Sequence, residues 1–265
     1  MKIVSLNAWG GQVWPALGSW LGSYGADVVC LQEMIKPVDP SPPWLAYRDA
    51  FRSLNQRSDL FGDICKSLPH HNAAFHPAVQ GKLSDTAGVE YVSQHGLGQW
   101  CAPDLTVLDR IDGFVHGAFR KDGWGDEPVP RGFQAVRLAQ QGRTRSVTIA
   151  HFHGLRDAAG KGDTPLRQEQ AKRAITLLSQ IASPKDDVVL AGDFNILPTS
   201  ETFDIFADWG LRDLVGTQDT RTQLYRKDVR HANYMLVSAS VKVQAFEVLA
   251  APVVSDHCPL VVSLG

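Results

Sequence analysis

Short apolar runs rich in Val, Ile and Phe recur from one end of the chain to the other. Their length and composition predict strands at 2–7, 27–32, 89–93, 114–119, 133–139, 146–152, 187–191, 234–237, 241–248 and 260–263. Helical spacing interrupts them. The clearest helix follows Asp163-Thr164-Pro165, a capping side chain with a proline in the first turn. From there Ala171, Ala174, Ile175, Leu178, Ile181 and Ala182 share one face, while Arg167, Gln168, Lys172 and Arg173 lie elsewhere. Ser183-Pro184 ends the element, and weaker helical patterns cover 14–24, 44–55 and 202–209.

Many strands with few helices exclude a helical bundle. The order also lacks the regular strand–helix alternation of a doubly wound parallel sheet. It fits two packed sheets, mixed and largely antiparallel, with helices outside. No internal repeat or low-complexity tract divides the chain, and the proline-rich stretch 36–43 reads as an ordered loop. A single domain over 1–265 is therefore expected.

Composition narrows the picture. With 265 residues, 44% hydrophobic and 20% charged, the chain buries enough apolar surface to fold without disulfides or a structural metal. Its net charge of −2 lacks the basic surplus of proteins that hold nucleic acid by its phosphates. Arg143 and Arg145 form only a small local cluster, so long duplex DNA is disfavoured as a substrate. None of Cys30, Cys65, Cys101 and Cys258 is in CxxC spacing, and Cys30 lies in the apolar run Val28-Val29-Cys30-Leu31. Reduced, buried thiols of a cytoplasmic protein have that pattern. The first residues enter a short alternating segment with the profile of neither a signal peptide nor a membrane helix.

Candidate chemistry gathers at the ends of apolar runs. In Val188-Val189-Leu190-Ala191-Gly192-Asp193-Phe194-Asn195 an aliphatic strand presents Asp193 and Asn195 two residues apart, on one side of an extended chain. Val147-Thr148-Ile149-Ala150-His151-Phe152-His153-Gly154 ends a strand in two histidines, and Ser255-Asp256-His257-Cys258-Pro259-Leu260 places an Asp-His pair before the last strand. Singly, each segment is as well read as a turn or a strand edge.

Together with Leu6-Asn7, Leu31-Gln32-Glu33 and Arg167 through Gln170, these segments resemble the endonuclease/exonuclease/phosphatase superfamily, in the same order and across nearly the whole chain. The resemblance implies a deoxyribonuclease I-like four-layer α/β sandwich, with two mixed, mostly antiparallel sheets packed face to face between helical layers. It also implies a divalent-metal-dependent hydrolase of phosphate esters with water as nucleophile. Such a reaction needs a positioned water, a cation to neutralise phosphoryl charge and help for the leaving oxygen. Hard oxygen donors suit Mg²⁺ or Mn²⁺.

By the match, Glu33 is the principal metal ligand, with Asn7 and Asp256 contributing directly or through water. Asp193 orients or deprotonates the attacking water, and Asn195 holds that water or a phosphate oxygen. His153 stabilises the charged transition state, and His257 contacts the scissile phosphate as acid or base. His151 is expected to be structural, or to support the site residues from behind. One position departs from the family's Asp-Tyr pair, whose Asp supports the final histidine. Here His231-Ala232-Asn233-Tyr234 supplies Asn233, which accepts a hydrogen bond from the imidazole but brings no charge.

The expected partner is a phosphate ester, either a small molecule or a short nucleic acid. A DNA or RNA endo- or exonuclease acting in repair is the alternative, and a non-catalytic binding descendant a third class. Substrate loops are expected within 37–100, which holds Trp44, Tyr47, Arg48, Arg52, Arg57, His70, His71 and His76.

Overall fold

Strict alternation at the amino terminus sets the layering. In β1 (Lys2–Asn7) Ile3 joins the core between two sheets, whereas Val4 and Leu6 pack on the opposite face beneath helices. Val28 and Cys30 against Val29 and Leu31 repeat the division in β2 (Val28–Pro37), which follows α1 (Ala16–Tyr24). The computed structural model describes residues 1–48, 53–125, 128–157 and 160–265.

Next come β3 (Trp44–Arg48), β4 (Ser53–Arg57), α2 (Leu60–Ser67), β5 (Asn72–Ser84), β6 (Glu90–Cys101), β7 (Leu105–His116), β8 (Arg131–Gln140) and β9 (Val147–His153). The chain continues through α3 (Pro165–Ile181), β10 (Asp187–Asp193), α4 (Thr202–Asp208), β11 (Leu211–Asp213), β12 (Asn233–Ser238), β13 (Val243–Val248) and β14 (Leu260–Leu264). One sheet has the order β13-β14-β1-β2-β6-β5-β3-β4, and the other β11-β12-β10-β9-β8-β7. Only β1–β2 and β9–β10 pair in parallel among the described strands. Leu17, Leu21, Leu60 and Ile64 of α1 and α2 cover the first sheet, and Ala171, Ala174 and Leu178 of α3 cover the second. The expected four-layer sandwich is the observed one.

Thr164 caps α3 by accepting from the Arg167 amide, and Pro165 opens its first turn, as the sequence indicates. The face assigned to Arg167 needs correction. Arg167 is 2% exposed and donates to the carbonyls of Leu155, Gly160 and Gly162. Gln170 accepts from the Leu155 amide at 2.8 Å. Both side chains turn inward because the loop leaving β9 brings its carbonyls and amides to them, which helical spacing alone does not reveal.

A second correction concerns 44–55, where the described residues are the antiparallel strands β3 and β4 instead of a helix, pairing from Trp44↔Arg57 to Arg48↔Ser53. Cross-strand pairing at a sheet edge outweighs a weak helical pattern; residues 49–52, including Arg52, lie outside the described residues. The runs at 89–93 and 114–119 catch only parts of β6 and β7, and β5 escaped the pattern altogether. Gln94, Gly96, Gly98 and Gln99 dilute the apolar signal of β6, and its long pairing with β5 and β2 holds it extended. The Arg143–Arg145 cluster is spent on Asp187, at 3.0 Å from each arginine. Asp187 opens β10, at the end of the strand opposite Asp193.

Candidate active site

The two parallel strand pairs end side by side, and the strands antiparallel to them begin there. Asn7 closes β1, His153 and Asp193 are register partners closing β9 and β10, and Asn233 opens β12 opposite Asp193. Asp256 and His257 precede β14, which runs back along β1. All eight residues singled out in the sequence therefore meet at one place between the sheets.

Asp193 is the hub. It is 2% exposed. Its Oδ2 accepts from Asn7 Nδ2 at 3.0 Å and lies 3.6 Å from His257 Nε2 and 3.8 Å from His153 Nε2. Its Oδ1 accepts from the Asn195 amide at 3.1 Å. Burial pushes this carboxyl upward, but His257, His153, Arg221 and Lys161 outweigh burial and hold it below the usual carboxylate range. Asn195 Nδ2 reaches the Gly154 carbonyl at 3.4 Å, from a backbone at φ +55°.

Glu33 comes to the site through a backbone irregularity. Regular pleating would send it to the helix-covered face with Val29 and Leu31. A register shift between Leu31 and Met34, with Glu33 at φ +54°, re-aims it instead. Asn7 Nδ2 then donates to Glu33 Oε1 at 3.0 Å, while Asn7 Oδ1 accepts from the Trp9 amide at 2.9 Å. Asn7 thus presents its amide N–H groups to two carboxylates and keeps one oxygen lone pair in reserve.

Asp256 is the misfit charge. Burial, with Glu33 and Asp193 nearby, pushes it up to about 7 despite the lowering influence of Arg221. Crowded oxygen donors that resist ionising together are what a divalent cation relieves. Among the described residues no group of three or more His, Cys, Asp or Glu side chains closes into a cage. Mg²⁺ keeps several waters and needs only one or two carboxylates. The oxygens of Glu33 and Asp256 fit that requirement.

His257 is held at both ring nitrogens. Its Nδ1 lies 2.8 Å from Asn233 Oδ1, and Asn233 Nδ2 reaches the Cys258 carbonyl at 3.4 Å, which fixes the amide orientation. Arg221 Nη1 donates to Nε2 at 2.5 Å, so the ring is neutral with its proton on Nδ1. Burial and the Arg221 charge hold its pKa well below the ordinary value, against the pull of Asp193. Asn233→Asp would add a carboxylate at Nδ1 and favour the imidazolium. The His257-governed limb of the pH–rate profile should then move to higher pH; an unmoved profile would detach Asn233 from His257 chemistry.

His153 is also held below its ordinary value, first by burial and then by Arg131. His151 is structural, as the sequence indicates: fully buried, with Nδ1 3.1 Å from Gln32 Nε2 and Nε2 3.2 Å from Gln134 Oε1. Arg221 and Lys161 also reach the site, without any signal in the sequence. Burial brings Lys161 down to about 8, although Asp193 pulls it up. Neither stands in a recognisable motif, and only the fold takes them to Asp193. Of the supposed substrate-loop residues, Arg57 is tied to Asp63 at 2.9 Å, and His71 and His76 to the Ala26 and Gly113 carbonyls at 3.0 and 2.9 Å.

The spacing of the site depends on Gly192. It has φ +138°, and an added Cβ would lie 2.0 Å from the Phe152 carbonyl oxygen of β9. Gly192→Ala should cost about 1–3 kcal/mol for the backbone alone. Thermal unfolding should show Tm lowered by roughly 3–10 °C; an unchanged Tm would mean that β9 and β10 separate freely.

Two face-to-face sheets whose parallel strand ends converge on carboxylates, amides and imidazoles define a deoxyribonuclease I-like protein. The chain belongs to the endonuclease/exonuclease/phosphatase family, whose profile matches residues 4–257. Members of this family are typically phosphoric ester hydrolases and generally use a divalent metal. The fold is similar to that of an endonuclease/exonuclease/phosphatase from Bacteroides vulgatus, at 16% identity and TM-score 0.70, covering 100% of this chain and 98% of that one. It is similar to a mannosyl-6-phosphatase of Bacteroides thetaiotaomicron, at 15% identity and TM-score 0.70, covering 100% and 99%. The human Nocturnin catalytic domain, solved with a bound sulfate anion, matches at 17% identity and TM-score 0.63, covering 100% and 93%. Compared by sequence with curated proteins, the chain has no significant match.

Proposed function

We propose that residues 1–265 form one catalytic domain that hydrolyses a phosphate ester with water as nucleophile. The observation that carries this reading is the ionised, buried Asp193 carboxylate, fixed by Asn7 and Asn195 and flanked by His153 and His257. A carboxylate so held orients a water and takes its proton as attack proceeds. Asn195 holds that water or a phosphate oxygen. His153 supports the charge of the pentacoordinate phosphorus, and His257, its ring fixed by Asn233, contacts the phosphate in its acid form, with Nε2 protonated in place of the bond it accepts from Arg221.

Glu33 and Asp256 would hold Mg²⁺ or Mn²⁺, with Asn7 setting the Glu33 carboxylate and lending its remaining lone pair. Such an ion neutralises charge on the phosphoryl oxygens and the leaving oxygen. The substrate is a small molecule or short nucleic acid, since the chain carries no basic surplus. Among the described residues no helix is long and apolar enough to cross a membrane. The four cysteines are unpaired, which suits a reducing cytoplasm.

The test is a Mg²⁺-dependent assay on p-nitrophenyl phosphate, bis-p-nitrophenyl phosphate and short single- and double-stranded oligonucleotides, with Glu33→Ala and Asp193→Ala as controls. Hydrolysis of a nitrophenyl ester that both substitutions abolish supports the reading. Cleavage of oligonucleotides alone would make the protein a nuclease. Activity that survives both substitutions would refute the site.

A further inference from the structure

Arg221 stands in no sequence motif, yet its side chain enters the site on a rigid mount. Its backbone forms an isolated antiparallel bridge with His257, flanked by Thr222 N to Asp256 O and Cys258 N to Thr220 O, each at 3.0 Å. Residues opposite one another on such a pair have neighbouring side chains, so register delivers the guanidinium to the imidazole. Arg230 Nη2 braces the segment from behind through the carbonyls of Arg221 at 2.8 Å and Thr222 at 3.2 Å. The Arg221 guanidinium lies 4.1 Å from the centre of the Tyr225 ring. The residue is 8% exposed.

One edge of this guanidinium is engaged and the other makes no hydrogen bond among the described residues. Nη1 donates to Asp256 Oδ2 at 2.9 Å and to His257 Nε2. Nε is buried without a hydrogen-bond partner, and the guanidinium's hydrogen bonds to the described residues all leave from Nη1, none from Nη2. Nε–H and Nη2–H together form the side-on fork of arginine, which matches two oxygens on one carboxyl or phosphorus. Arg137 uses that same edge here, gripping the two Asp186 oxygens at 2.8 and 3.1 Å. Arg221 has the fork without the anion, beside the carboxylate and imidazole of a phosphoester site.

Building on the reading of this site as a phosphohydrolase, we propose that Arg221 grips two non-bridging oxygens of the scissile phosphate through Nε and Nη2, which makes phosphate monoesters the preferred substrate class. The preference follows from counting oxygens. A diester has two non-bridging oxygens and a monoester three. With two oxygens on the fork, a monoester keeps a third, unshared oxygen for an ion that Glu33 and Asp256 would hold, whereas a diester would have to share one. The monoester's larger charge also gains more from a fixed guanidinium.

The test uses Arg221→Lys, which keeps the charge and loses the fork, and Arg221→Met, which keeps an apolar stem against Tyr225. Thermal melts check both for folding, and Arg221→Lys alone suffices if Arg221→Met does not fold. Wild type should favour p-nitrophenyl phosphate over bis-p-nitrophenyl phosphate. Arg221→Lys should lower kcat/KM for the monoester by about 100-fold and for the diester much less. Calorimetric titration of the metal-free protein with inorganic phosphate should show the affinity falling at least about 10-fold in the variant. Equal losses on both esters, or unchanged phosphate affinity, would overturn the assignment. A wild type inert towards both esters and towards the oligonucleotides, with phosphate affinity still dependent on Arg221, would instead sink the hydrolase reading and leave the anion clamp standing.

Discussion

Asp193→Asn lowers kcat for phosphate-ester hydrolysis by about 10³–10⁴-fold, with little change in fold. Asparagine matches aspartate in shape but carries no charge and takes no proton. It also brings an NH₂ where Asn7 Nδ2 and the Asn195 amide both already donate, so one donor loses its acceptor. Loss of the carboxylate also removes a negative charge that stabilises Arg221 and Lys161 together. Because the Asp193 pKa is depressed, the stability its charge contributes is fully present above about pH 4 and is lost only in stronger acid. The activity loss should therefore be the same across neutral pH. Steady-state kinetics with a parallel thermal melt decide the matter: a folded variant within about 10-fold of wild type would remove Asp193 from the proton-accepting role.

Glu33→Gln has the second largest expected effect and acts on a different quantity. Glutamine retains the bulged backbone and keeps an oxygen for Asn7 Nδ2 at the 3.0 Å contact, but loses the charge that faces the cation. Mg²⁺ affinity should fall at least about 100-fold, more than loss of a supporting hydrogen bond costs. The wild type should gain about 2.7 kcal/mol of stability at a Mg²⁺ concentration 100 times its Kd. At that concentration the variant should show almost none of the rise in Tm. Calorimetry adds a check on Asp256: with its pKa pushed to about 7 before the ion arrives, Mg²⁺ binding near pH 6 should release protons. If Glu33→Gln melts with the same Mg²⁺ response as wild type, the ion sits elsewhere.

The two variants also separate what was readable along the chain from what was not. Asp193 stood out because a run of buried aliphatics, Val188 to Ala191, ends abruptly in polar residues at a glycine. That signal is local, and so are those of Asn195, Asp256 and His257. Glu33 carried its family motif, yet its direction depended on a bulge against β6, a strand the apolar pattern caught only in part. Strict alternation would have pointed the carboxylate at the helices. Arg221 had no local signal at all, because its role comes from pairing with His257, 36 residues later. Arg167 misled in the opposite sense: its charge suggested solvent, whereas the carbonyls it satisfies belong to a loop that helical periodicity does not see.

By itself the sequence determined the strand-rich architecture, the cap of α3 and the set of polar strand ends, since each depends on neighbours within a few residues. It also carried the family motifs in order and the exchange of a charged partner for Asn233. The tertiary structure decided which way Glu33 points, that Asn7 meets Asp193 across 186 residues, that Trp44–Arg48 and Ser53–Arg57 pair as strands, and that Arg221 stands beside His257 with Nε unpartnered. Those outcomes depend on hydrogen-bond register between distant strands and on burial that shifts the protonation of Asp256, His153, His257 and Lys161. Neither quantity is a property of a short stretch of chain.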